Sequence, residues 1–221
     1  MPLACAACGA GAPAAPAPPV PAVVLTAGTE FGAVAIRSVS RVAFSTQWVI
    51  QDATYSIDFG DGQSDQMLPD LHSTRLVFAS HRYDSNGVFT ARLTVVDAAA
   101  RGPLAAGSAS ITVRDMSGRW TSIEVDEATK TSTMRTFEWS QTGSSLSGRY
   151  VDQNGVSHAA AGHMADPRSI TVTLDGQLLC QGTDLDRTGI ANDLNAFSVL
   201  FWPLGPILQP VTFTRQEPTR G

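Results

Sequence analysis

Apolar and polar residues alternate along most of the chain with a period of two, in short segments broken every 8 to 12 residues by Gly, Asn, Asp or Pro. The cleanest stretch is Gly87–Asp97. Phe89, Ala91, Leu93 and Val95 form one face, and Val88, Thr90, Arg92 and Thr94 form the other. Successive side chains of a strand point to opposite sides of a sheet, so this pattern predicts a strand with one buried face. No window of helical length carries a sustained apolar stripe with caps. Strands are predicted in the first half over residues 23–25, 34–36, 41–45, 54–59, 75–80, 87–97 and 109–113. Seven short strands with hairpin-like spacing predict an immunoglobulin-like β-sandwich.

The alternation stops around Arg114-Asp115-Met116-Ser117 and resumes at Gly118-Arg119-Trp120. Strands are then predicted over 120–125, 134–141, 145–151, 156–163, 169–174, 178–183, 197–202 and 210–215, joined by short Gly- and Asp-containing turns. Asn154-Gly155 is the strongest hairpin signal, because both residues tolerate the positive φ of a type I′ turn. Eight consecutive antiparallel strands in about a hundred residues predict an up-and-down barrel. A second sandwich is the plainer alternative. The expected fold is all-β: a sandwich over residues 23–114 and a small antiparallel barrel of about eight strands over 115–221, preceded by a tether over 1–22.

That tether holds nine Ala and six Pro within 22 residues and no charged side chain before Glu30. Such a stretch builds no core and is expected to be flexible or polyproline-like.

Two motifs carry resemblances. Phe59-Gly60-Asp61-Gly62, with His81-Arg82-Tyr83 downstream and Asp97 closing the long strand, resembles the PKD family of immunoglobulin-like modules over about ninety residues. In that family the strand before the turn often reads W-x-F-G-D-G; Ile57 stands here at the Trp position. The resemblance implies a non-catalytic spacer or binding domain in an exported protein. Turn geometry explains the same residues without chemistry. The glycines suit positive φ, Asp61 can cap its own turn, and His81 is expected to be a packed, hydrogen-bonded strand histidine. Further on, Gly118-x-Trp120 on the first strand of the second half, with Arg215 on its last, resembles the closure of lipocalin and avidin-type (calycin) barrels. There a terminal guanidinium packs over the indole. Leu3-Ala4-Cys5-Ala6-Ala7-Cys8 resembles the end of a bacterial lipobox, which implies Cys5 or Cys8 as a lipidation site. The basic and apolar stretches that precede a lipobox are not among the residues before it, and a plain disordered tether is the alternative.

Composition narrows the classes. A net charge of -5 gives no footprint for nucleic acid, and no apolar run approaches the length of a membrane-spanning helix. Cys5 and Cys8 have no second pair with which to hold zinc, which leaves Cys180 as an expected buried thiol. The sequence contains no nucleophile elbow, no phosphate loop and no dinucleotide fingerprint. His158 and His163 are an odd number of residues apart, so a strand sends them to opposite faces. Asp184-Leu185-Asp186-Arg187-Thr188-Gly189 has the opening rhythm of a calcium loop, but Asn195 stands where its closing Glu should be.

Phe137, Trp139, Phe201 and Trp202 are the candidate ligand-binding aromatics, and the Pro-interrupted apolar segment 201–208 is a candidate lid. The expectation is a non-enzymatic, exported binding or adhesion protein with no metal and no cofactor. It would be periplasmic, outer-membrane-anchored or extracellular, with a carbohydrate, an envelope protein or a small hydrophobic ligand as partner. A hydrophobic-ligand carrier is the alternative, and an accessory part of a secreted hydrolase system the third.

Overall fold

The computed structural model describes residues 20–29, 34–47, 50, 52–69, 75–97, 102–126, 129–167, 169–182, 196–201 and 209–216, and it is all-β. Nine strands build the first half: β1 (Leu25–Gly28), β2 (Val34–Ile36), β3 (Val42–Thr46), β4 (Ala53–Asp58), β5 (Ser64–Gln66), β6 (Leu68–Pro69), β7 (Val77–His81), β8 (Gly87–Asp97) and β9 (Pro103–Arg114). They form a four-stranded sheet, β1-β3-β7-β6, and a five-stranded sheet, β2-β9-β8-β4-β5. The alternating apolar residues of both sheets make the core between them, with Val42, Phe44, Ile57, Tyr83, Ala91 and Leu93 almost fully buried. The strands β5 and β6 go beyond the seven expected. Ser64–Gln66 and Leu68–Pro69 are short and exposed, so no apolar period marks them. The last strand begins at Pro103, not near 109, because Ala105, Ala106 and Gly107 pair with β8 through backbone bonds while offering little apolar contrast.

The second half contains β10 (Gly118–Asp126), β11 (Thr131–Thr142), β12 (Ser145–Val151), β13 (Ser157–Asp166), β14 (Ser169–Leu174), β15 (Gln177–Gly182), β16 (Ala196–Phe201) and β17 (Gln209–Gln216). All are antiparallel, in the order β15-β14-β13-β12-β11-β10-β17-β16. First and last strands therefore pair, with Trp120 opposite Arg215, as an up-and-down barrel requires. β15 and β16 lie alongside each other without a hydrogen-bonded register among the described residues, so the sheet curls toward closure with its seam there. Trp120, Phe137, Trp139, Leu146, Met164, Ile170, Val172 and Phe213 fill its interior.

The Asn154-Gly155 hairpin is not a two-residue type I′ turn. Five residues separate Val151 from Ser157, and only Gly155 takes a positive φ (+79°). Asp152 explains the longer loop, since its carboxylate accepts the amides of Asn154 (2.9 Å) and Val156 (2.8 Å). Side-chain capping by Asp here outcompetes the tighter turn.

β2 belongs to both cores. It runs parallel to β9, with Ala35 opposite Val113, and all three of its residues are buried. Ala35 packs into the sandwich core, whereas Val34 and Ile36 pack with Val39 and Met116 into the barrel core. Period-two geometry makes this double role available to a strand lying between two layers.

Candidate functional site

The residues singled out in the first half come together. Asp58 accepts the Gly60 amide (2.8 Å) and Asp61 accepts the Gln63 amide (3.0 Å), so both carboxylates are used to shape the turn. The His81 ring bonds through Nε2 to Asp61 Oδ2 at 2.7 Å. That ring stacks on Phe59 (4.1 Å, 5°) and meets Tyr83 edge-on (4.6 Å), while the Tyr83 hydroxyl donates to the Phe59 carbonyl (3.0 Å). Burial alone would raise the Asp61 carboxyl, but the His81 hydrogen bond, the Gln63 amide and the His81 charge hold it below the ordinary carboxylate range. Burial, with the Asp61 and Asp58 charges, pushes the Tyr83 phenol well above its usual value. A histidine stacked on Phe59, met edge-on by Tyr83 and with Nε2 committed to a carboxylate pins β7 to the turn. Gly60 fits because its φ is +82° and a Cβ there would stand 2.6 Å from the Thr90 carbonyl oxygen.

A second constellation forms where the halves meet. The Arg215 guanidinium lies 4.8 Å over the Trp120 ring and donates to the Asp115 carbonyl, and Trp120 Nε1 donates to the Met116 carbonyl (2.9 Å). Beside them Gln141 is buried. Its Oε1 accepts the Met116 amide (2.7 Å), and its Nε2 donates to the carbonyls of Arg37 (2.8 Å) and Gly143 (2.7 Å). Arg37 returns a bond to the Gln141 carbonyl (2.8 Å) and pairs with Asp115 at 3.1 Å. The sandwich thus sits on the barrel end that holds Gly118, Trp120 and Arg215.

The opposite end of the barrel is a rim. Thr131 begins β11 there, Val151 and Ser157 flank the β12–β13 loop, Leu174 and Gln177 flank the β14–β15 turn, and Phe201 stands opposite Gln209. Phe137 and Trp139 lie deeper, 0% and 5% exposed and stacked at 5.3 Å. They act as interior packing. Phe201 ends β16, whereas Trp202, the calcium-like rhythm at 184–189, the segment 202–208, Cys5 and Cys8 lie outside the described residues.

Sequence reasoning missed the polar group at this rim. Tyr150 and His158 are direct cross-strand partners with stacked rings (4.6 Å, 14°), and Tyr150 rests on Phe137 at 5.7 Å. His158 Nδ1 is 2.7 Å from Asp175 Oδ2, and Nε2 is 3.7 Å from Asp152 Oδ2. Asp175, at φ +48°, also accepts the Ala159 amide (3.0 Å). The His158 hydrogen bond, with that amide, holds the Asp175 carboxyl below its ordinary range, and the Val156 amide, helped by Asn154 and opposed by burial, does the same for Asp152. Burial and the Asp175 charge push the Tyr150 phenol up, with Arg135 pulling the other way. The available signal was parity. His158 shares the inward side of β13 with Ala160 and Met164, whereas His163 faces out, its Nδ1 3.5 Å from the Ser144 hydroxyl. Asp166 accepts from Ser169 (2.9 Å).

The rim therefore offers a half-buried tyrosine stacked on a half-buried imidazole, with two carboxylates beside that imidazole. Among the described residues no group of three or more His, Cys, Asp or Glu side chains is placed to hold a metal ion, and no helix is long and apolar enough to cross a membrane. No protein-family model matches the chain, and no curated protein matches it.

Proposed function

We propose that this chain is a non-enzymatic, exported binding or adhesion protein. In it a PKD-like sandwich serves as spacer and support, and a lipocalin-like barrel carries the binding surface on its far rim. One observation carries the proposal: residues 21 and 22 pair near one end of β9, and the barrel follows its other end. Pro21 accepts the Ala106 amide and Ala22 bridges Ala106, near the start of β9, while the barrel begins beyond Arg114 at the other end of the same strand. Eight residues of β9 separate these points, about 26 Å at ~3.3 Å per residue. A tether before residue 20 would then hold the sandwich from one side and present the rim on the other, which fits an envelope-anchored or extracellular setting.

The packed aromatics favour recognition at the rim over carriage inside the barrel. An eight-stranded interior is just wide enough for side chains or one small ligand, and Trp120, Phe137, Trp139 and Phe213 take up much of that space. Native mass spectrometry of the protein purified from its own source tests the choice. The expected species carries no apolar ligand beyond any lipid on Cys5 or Cys8; a stoichiometric internal ligand would overturn the reading in favour of a carrier. Co-sedimentation with polysaccharides and isolated envelopes supplies the binding arm. It is expected to weaken on Tyr150→Ala if the rim makes the contact.

A further inference from the structure

We infer that His158 is a proton-operated clasp that ties together the two loops of the barrel rim. This goes beyond the proposed binding role and holds whatever the rim meets. The ring sits between a carboxylate on each loop. Asp175, from the β14–β15 turn, is at 2.7 Å from Nδ1; Asp152, from the β12–β13 loop, is at 3.7 Å from Nε2. A neutral imidazole has a single N–H. With that proton on Nδ1 and given to Asp175, the Nε2 lone pair faces the Asp152 carboxylate, and the two repel. Protonation places a second N–H on Nε2, and the imidazolium then keeps its hydrogen bond to Asp175 while attracting the Asp152 carboxylate across 3.7 Å as an ion pair. Nothing is oxidised or transferred; one proton is taken from solvent.

The groups facing His158 from every side fit this device. Tyr150 on β12 covers one ring face by stacking, and burial and the Asp175 charge hold its phenol above the usual range. Arg135 on β11 acts electrostatically on Tyr150. Asp152 and Asp175 are held below the ordinary carboxylate range, so both stay charged from weakly acid pH upward. Asp152 also shapes its own loop through the Asn154 and Val156 amides, and Asp175 fixes the start of β13 through the Ala159 amide. Each carboxylate is thus a handle on backbone. The rim is clasped in acid and loosened toward alkaline pH.

Amide hydrogen exchange of the full chain tests this, read at about pH 5.5 and 7.5 and corrected for the intrinsic pH dependence of exchange. The reporters are the amides of Asn154, Gly155, Val156 and Ala159, with β11 as internal reference. Partly exposed charge pairs of this kind correspond to about a two- to fivefold gain in protection at the lower pH. Asp152→Asn keeps an oxygen to accept the loop amides but removes the charge, and it is expected to abolish the gain in the loop. Protection that does not change with pH in the wild type, or an undiminished gain in Asp152→Asn, would overturn the clasp. A ring-carbon NMR titration of the four histidines gives a reading that depends on no variant. Only the His158 signal is expected to track the loop amides, and a loop transition that follows another histidine would refute the assignment.

Discussion

Gln141→Leu is the most demanding test of the junction. The side chain is 6% exposed and makes three hydrogen bonds, all shorter than 2.9 Å, to backbone groups from three segments. Leucine has a similar volume but none of this polarity. Gly143 sits in an exposed turn, so water can replace its lost partner. The buried Met116 amide and the Arg37 carbonyl, packed between the cores, have no such replacement. Each stranded group costs about 1 to 3 kcal/mol, and the added apolar burial returns about 1 to 2 kcal/mol. With two groups stranded, the middle of these ranges gives a net loss of about 2.5 kcal/mol.

Denaturant unfolding followed by tryptophan fluorescence measures the total, and hydrogen exchange locates it. Because Val34, Ile36 and Val39 pack into the barrel core, exchange at Val34–Ile36 is expected to quicken along with that of β10 and β11. A variant within about 0.5 kcal/mol of the wild type, or one in which only barrel amides respond, would refute the view that Gln141 joins two cores into one cooperative structure.

Two further outcomes follow from the turn before β5. Gly60→Ala is expected to destabilise more than Gly62→Ala, because both carry a positive φ costing about 1 to 2 kcal/mol, but only at residue 60 would the new methyl strike backbone, the Thr90 carbonyl. Equal losses in urea denaturation would contradict that geometry. The Asp61 carboxyl is held low in the folded protein, so its contribution to stability is present above the unfolded value of about 3.9 and is lost as pH falls through the folded value. Asp61→Asn should therefore flatten the acid limb of the stability curve below about pH 4, and parallel curves for variant and wild type would exclude the effect.

How much of this was legible depends on how local each determinant is. The strands of the second half could be read because neighbouring antiparallel strands joined by short turns need only local alternation, and Trp120, Phe137 and Trp139 carry that period strongly. The Phe59-to-Gly62 turn was equally legible, since Asp58 and Asp61 cap amides two residues away. The partnership of Gln141 with Arg37 was not, because the partners lie 104 residues apart and a lone glutamine in a strand looks like a surface residue. Two-sided burial of Val34–Ile36 was hidden for a related reason: three apolar residues in a row match an edge strand as well as a strand between two cores. Parity put His158 and His163 on opposite faces, yet the carboxylate partners of His158 come from two different loops and leave no spacing to recognise.

The junction also bears on what the rim can do. A flexible hinge between sandwich and barrel would let the rim sample many directions, and inter-domain motion is the ordinary expectation for a small polar interface. Here the interface is continuous with the barrel core through Val34, Ile36, Val39 and Met116, and the Arg37, Asp115 and Gln141 bonds close its polar edge. That combination fixes the direction of the rim relative to the sandwich. The freedom left to the molecule then lies at the rim itself, in loops held by single carboxylates and one imidazole. A protein that only needed to separate its ends could have used a string of loosely joined modules. Fusing a barrel to a sandwich through a shared strand makes physical sense where orientation matters.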